Sequence, residues 1–329
     1  MNNAPNLPKN EPLSAPTSTS HKIFIGPDGL RAGWSLLIFI AFMFAVLRVA
    51  NFLLALVHLT PQRPAPGTEL SPAFGFSAEL VSFLATLLVT WIMSRIEKRP
   101  NSVYGLGTQR MLRNFLAGLF SGVICLSLLV FILSKAGLLV IDARLLFGAE
   151  AFHYGAIWLL CFLLVGLLEE YLTRGYLLFT LTRGLAGIYN WLFKTRHSKA
   201  LGFWTAALVL SILFGLGHGN NPGESPIGLL SAGLASLVFC LSLWRSGSLW
   251  WAIGCHAAWD WAQSFLYGVA DSGLMTQHHL LATHPLGKPL MSGGTTGPEG
   301  SIFVLPILAV LTLIILFTLP RESTTSIVP

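Results

Sequence analysis

The chain has 329 residues, of which 53% are hydrophobic and 10% charged, and its mean hydropathy is +0.68. A soluble domain carries about 25% charged residues, so the composition excludes an ordinary soluble enzyme and leaves a polytopic membrane protein. The net charge of +6 does not point to nucleic acid; it belongs to the loops, where Lys and Arg set orientation.

Residues 1–20 are rich in Asn, Pro, Ser and Thr and, with the stretch up to residue 33, read as a disordered cytoplasmic tail. The first apolar run, Trp34–Val57, is long enough to be a full span rather than a cleavable leader. A Pro-rich loop follows. The second span is Phe74–Ile96, ending in the basic cluster Arg95-Ile96-Glu97-Lys98-Arg99. After a basic connector, the third runs from Phe115 to Ser134 and carries Gly118-x-x-x-Gly122, a spacing that lets helices approach closely. The fourth is Ala156–Leu181, and a basic loop with Arg183, Lys194, Arg196 and Lys199 comes after it. The fifth is Leu201–His218, stopped by Gly219-Asn220-Asn221-Pro222-Gly223. The sixth, Ile227–Trp244, has Gly228, Ala232 and Ser236 at four-residue spacing. The seventh is Leu249–Gly268. Residues 269–300 read as a Gly/Pro/Thr loop before the eighth span, Ile302–Leu319.

The expected fold is therefore an all-α polytopic transmembrane helix bundle of about eight spans. Its parts are a tail (1–33), N-terminal membrane helices (34–149), a core (150–270), and an extracytoplasmic loop with the last membrane helix (271–329). Eight spans put both termini on one side, and most Lys and Arg fall there too, with Arg63, Arg144, Lys288 and Lys135 on the other. The positive-inside rule makes that side cytoplasmic in a multi-pass protein of the cell membrane. No inverted repeat of the transporter kind is visible. Cys125, Cys161, Cys240 and Cys255 fall in apolar runs and form neither a disulfide framework nor a zinc spacing.

The chemistry lies in the charges at membrane depth, each of which costs a few kcal/mol to insert (roughly 2.5–3.5 on insertion scales) and marks function by default. Glu169, Glu170 and Arg174 interrupt an otherwise apolar run. Glu170 and Arg174 are four apart and share a helix face, so they are expected to pair. Glu169 lies about 100° around the helix and is left for another partner, as suits a general base acting on water. His256 and Asp260 are also four apart and can serve one centre. His218 ends the fifth span among Gly215, Gly217 and Gly219. Arg48 and Glu79 read as a structural pair between the first two helices. His278, His279 and His284 read as solvated residues of a flexible loop. Zinc-protease helix, serine-elbow and nucleotide-loop motifs are absent. Activation of water, directly or through a metal, is what the remaining set can do.

Glu169-Glu170-x-x-x-Arg174, Phe214-x-x-x-His218 and His256-x-x-x-Asp260, in that order on successive apolar segments, resemble the three motifs of the CPBP intramembrane proteases, the type II CAAX prenyl endopeptidases and bacteriocin-processing Abi proteins. The resemblance implies a polar cavity open to the cytoplasm and a membrane-embedded endopeptidase. Glu169 and His218 would activate the water. His256 and Asp260 would stabilise the oxyanion or hold a metal, and Glu170 and Arg174 would brace the site. Asp260 stands where the family has Asn or Asp; an ionised Asp cannot donate to an oxyanion, which leans this variant toward a metal. The candidate cofactor is a divalent metal such as zinc, with Glu169, His218, His256 and Asp260 as candidate ligands. The expected partners are a peptide or membrane-protein substrate and the lipid bilayer, with no nucleic acid. The rival readings are a non-catalytic scaffold or immunity protein of the same fold and a proton-coupled transporter. One tension stands: at 1.5 Å per residue, Glu169, His256 and His218 lie about 18, 10 and 26 Å from the cytoplasmic ends of their spans, whereas one centre needs one depth.

Overall fold

The computed structural model describes residues 23–26, 29–59 and 69–320. Residues 1–22 of the expected tail, and most of the Pro-rich loop after the first span, lie outside them. The longer helices are α1 (Ala32–Leu56), α2 (Pro72–Ile96), α3 (Met111–Lys135), α4 (Gly148–Glu170), α5 (Leu178–Phe193), α6 (Ser198–Gly217), α7 (Pro226–Ser246) and α8 (Trp250–Trp261). A four-residue α9 (Pro289–Ser292) and α10 (Val304–Thr318) follow. The π-helical stretch Tyr171–Leu177 joins α4 to α5 in one rod, Gly148–Phe193. Among the described residues, six helices are long and apolar enough to cross a membrane, and α10 is a shorter apolar helix. The protein is a multi-pass helical membrane bundle. The expected seventh span is the 12-residue α8, extended by a five-residue π-helical turn, Ala262–Leu266.

Local chemistry sets the helix starts. Ser71 Oγ accepts from Phe74 N at 3.2 Å and Ser225 Oγ from Gly228 N at 3.1 Å, each with Pro at the first helical position. The serine satisfies an orphan N–H, and the proline has none to lose. In the interior, α8 is the hub: Trp251, Ala252, Ile253 and Cys255 have no exposed surface. Gly118 and Gly122 let α3 touch it backbone to backbone. A Cβ at these positions would sit 2.0 Å from Trp251 O and 2.4 Å from Cys255 O. This is the close approach expected of the Gly-x-x-x-Gly spacing. The small residues of α6 and α7 work likewise, with Ser236 Oγ donating to Ser211 Oγ at 2.9 Å. The outer faces of α1 and α3, with Phe52, Phe120 and Phe131 exposed, suit contact with lipid.

The connectors gather on two opposite faces. On one, Leu249 N donates to Gly105 O (3.0 Å), Trp250 Nε1 to Gly107 O (3.0 Å), and Arg245 Nη2 to Leu316 O (2.9 Å). On the other, β3 (Leu139–Arg144) pairs antiparallel with β4 (Leu281–Pro285), Asn221 Nδ2 donates to Ser272 O at 2.9 Å, and Leu70 N to Met275 O at 2.7 Å.

Four expectations need correction. The fourth span does not end at Leu181, because helix runs on to Phe193. Arg183 therefore lies on a helix, donating to Leu30 O (2.8 Å) and facing Glu97 at 3.8 Å. The end of the tail is built: Ile25–Gly26 (β1) pairs with Gly29–Leu30 (β2), and Trp34 Nε1 donates to Ile23 O at 3.2 Å. Residues 269–300 hold β4, α9 and many fixed contacts. His278 stacks on Tyr154 at 4.0 Å, and His284 Nδ1 meets Asp142 Oδ2 at 2.7 Å. Finally, Arg48 lies over the Phe44 ring at 4.7 Å and forms no ion pair with Glu79 among the described residues; Glu79 faces inward.

Candidate active site

α4 delivers Glu169 and Glu170, and the π-helical stretch delivers Arg174. Wide turns of this kind are frequent at functional sites. Arg174 Nη1 donates to Glu170 Oε1 at 2.9 Å, the pairing the four-residue spacing predicts. Both side chains are buried, with 2% and 0% of their surface exposed. Arg174 also lies over the Phe214 ring at 4.3 Å and that of Phe239 at 5.7 Å, so the guanidinium is held by a carboxylate in its plane and aromatic faces above it.

The same Glu170 oxygen reaches α8. His256 Nδ1–H donates to Glu170 Oε1 at 2.8 Å, since an ionised carboxylate can only accept. This fixes the ring. Nε2 then points toward Glu169 Oε2 at 3.8 Å and Asp260 Oδ2 at 3.6 Å. The expected one-face relation of His256 and Asp260 is present, and Glu169 is the third member of the group. Glu169 Oε2 has no hydrogen-bond partner, although its side chain is 30% exposed. That oxygen is shielded, and the side chain lines the cavity. Thr173 Oγ1 donates to the Glu169 carbonyl and accepts from Arg174 Nη1 at 2.9 Å, tying the backbone at Glu169 to the ion pair.

His218 enters from the end of α6, in the 3₁₀ turn His218–Asn220. Its Nδ1–H donates to Phe214 O at 2.8 Å, leaving Nε2 as an acceptor. A cavity of about 520 Å³ is lined by Glu169, His218, His256 and Asp260 together. The depth tension therefore dissolves. It assumed that helices end in a common plane, and the rod Gly148–Phe193 and the short α8 do not.

Three carboxylates that the motifs do not contain line the same cavity: Glu79, Asp271 and Glu299. Glu79 gave a signal, being a charge in an apolar run, but its partner was misjudged. Asp271 and Glu299 gave none, standing in ordinary turn sequences. Asp271 N and O both bond to Leu274 across a tight turn, and Ser264 Oγ donates to Asp271 Oδ2 at 3.2 Å. Burial, reinforced by Asp260 and Glu299, pushes the Asp271 carboxyl well above its ordinary 3.8. Glu299 is also raised by burial, against donation from Ser272 N and Oγ at 2.5 and 2.9 Å.

The donor set suits a divalent cation in kind. Two imidazoles expose Nε2, two carboxylates stand nearby, and Glu170 on His256 Nδ1 is the outer partner that orients a ligating histidine. Among the described residues, however, no three such side chains already close on one point.

Residues 151–262 match the family model "Type II CAAX prenyl endopeptidase Rce1-like". This stretch contains all seven residues of the three motifs and ends before Asp271 and Glu299, so the cavity is closed by chain that lies outside the matched stretch. Neither a curated protein nor a solved structure matches this chain.

Proposed function

We propose that the protein is an intramembrane endopeptidase that hydrolyses a peptide bond of a membrane-associated protein or peptide. The observation that carries this reading is the His256 ring. Glu170 holds its Nδ1, and its Nε2 faces Glu169 and Asp260 inside the cavity. The match to an endopeptidase family supports it.

In the proposed reaction, a water in the cavity gives its proton to Glu169, assisted by the acceptor Nε2 of His218, as its oxygen attacks the carbonyl carbon. Carbonyl oxygen becomes oxyanion. His256, protonated at both nitrogens, meets that charge with Nε2–H, and Asp260 beside it balances the imidazolium. The intermediate collapses, the C–N bond breaks, and Glu169 returns its proton to the leaving amine. Glu170 and Arg174 neutralise each other and hold His256 in place. In the alternative with a divalent cation, Glu169, His218, Asp260 and a neutral His256 would hold it, and it would polarise the carbonyl and make water more acidic in place of the His256 Nε2–H.

The test is a survey of membrane-protein termini in cells carrying wild type or Glu169→Gln at equal expression. Termini present only with wild type are expected, and they give the cut sites. Identical termini, with the wild-type phenotype kept by the variant, would replace this reading with that of a non-catalytic scaffold.

A further inference from the structure

Which side of the membrane feeds this cavity follows from chain direction and charge. α4 and the π-helical stretch line one side of it from Trp158 down to Thr173, and the other helices reach it from one face of the bundle. α2 contributes its start (Gly75, Glu79), α7 its first half (Ser231, Ala235) and α10 its first half (Leu308). α6 and α8 contribute their last turns, with His218 beyond the one and Asp260 near the end of the other. The loop part of the wall, which includes Leu70, Asn221, the turn Asp271–Leu274 and Glu299, lies on the face that carries β3 and β4. Nothing from the connectors 97–110, 194–197 or 247–249 lines the cavity.

Those three connectors and their flanks are the basic ones. Arg95, Arg99, Arg113, Lys194, Lys199 and Arg245 lie there, and among the described residues Glu97 is the single acidic side chain on that face. The cavity face reverses the balance. Among the described residues its connectors hold Glu69, Asp142, Glu224, Asp271 and Glu299 against Lys135, Arg144 and Lys288. The positive-inside rule makes the basic face cytoplasmic, and the anionic inner leaflet favours the same assignment. An opening to the cytoplasm, which the motif resemblance implies, cannot be combined with these charges.

We propose that the cavity is loaded from the extracytoplasmic side, so that its substrate is a membrane-anchored polypeptide presenting its scissile segment there, not a lipidated C-terminus in the cytosol. The substrate part of this inference rests on the endopeptidase reading; the orientation does not. Among the described residues the cavity wall carries no Lys or Arg, so the segment that fits it is neutral or cationic.

Single cysteines at Thr295 and Lys288, exposed on the cavity face, and at Ser102, exposed on the basic face, separate the two orientations. The four native cysteines are buried, and wild type serves as the blank. A membrane-impermeant maleimide should label Thr295→Cys and Lys288→Cys in intact cells, and Ser102→Cys only after permeabilisation. The opposite pattern overturns the proposal. Two positions on the cavity face guard against one variant failing to fold. The termini that depend on Glu169 should map to extracytoplasmic segments, and cytoplasmic cut sites would overturn the substrate class. If no such termini exist, the endopeptidase reading fails and the labelling still reports which way the cavity opens.

Discussion

Glu170 and His256, 86 residues apart in the chain, share a 2.8 Å hydrogen bond between the end of α4 and the middle of α8. The same oxygen takes Arg174 at 2.9 Å. One buried carboxylate thus joins the first motif to the third, and Glu169 beside it is left with an unpartnered oxygen.

Glu169→Gln should abolish cleavage and leave the fold intact. Loss of a general base costs about 10²–10⁴ in rate. Glu169 Oε2 has no hydrogen bond to lose, so thermal unfolding in detergent should shift by no more than a surface substitution, within about 0.5 kcal/mol.

Arg174→Met should do the opposite and act first on stability. Removing one partner of a buried ion pair costs about 3–5 kcal/mol, because the other charge is stranded. The double variant Glu170→Gln/Arg174→Met should recover part of that loss without recovering activity, since His256 Nδ1 would still lack its anionic partner. Paired unfolding and cleavage assays on the three proteins separate the two effects.

Gly122→Val tests the frame. A side chain there would meet Cys255 O and Ala258, and overpacking of this kind costs roughly 1–3 kcal/mol. Cleavage should fall although Gly122 does not line the cavity, because α8 carries His256 and Asp260. A variant with wild-type rate would show that α8 is not held by this contact.

Stability should depend on pH through Asp271. Its carboxyl is raised well above 3.8 by burial, so the folded state holds a proton that the unfolded chain releases. That contribution is complete below about pH 4, near the ordinary carboxylate value, and is lost as pH rises through the raised folded value. Melting temperature in detergent should therefore fall with rising pH over this window, and Asp271→Asn should flatten the slope.

Metal removal separates the two ways of meeting the oxyanion. Cleavage should fall on chelation and return with zinc, and Asp260→Asn should lower the zinc retained per chain. Unchanged activity on chelation, together with a fully active Asp260→Asn, would take the metal out of the reaction.

The apolar runs were long enough to mark the spans, and charges inside them marked Glu169, Glu170, Arg174, His256 and Asp260. Helical spacing then foretold the Glu170–Arg174 pair and the His256–Asp260 face, because i,i+4 geometry is local. What lay beyond local geometry was missed. The Leu139–Arg144 strand is short, and its partner is far along the chain, with Val140 paired to His284, 144 residues away. Glu79 was given to Arg48 by proximity of spans, and only packing shows it turned to the cavity. Asp271 and Glu299 stand among Gly, Ser and Pro, in sequences typical of solvated turns, and their burial comes from folding the loop back over the bundle.

The Gly118 and Gly122 contacts place the backbone of α8 against that of α3, so the position of His256 is set by peptide groups rather than by side chains. The opposite wall is made of side chains of α6, α7 and α10 such as Leu213, Ala232, Ala235 and Leu308, which take no part in that contact. Substitutions on that wall can therefore resize or repolarise the cavity without moving the α8 backbone that carries His256.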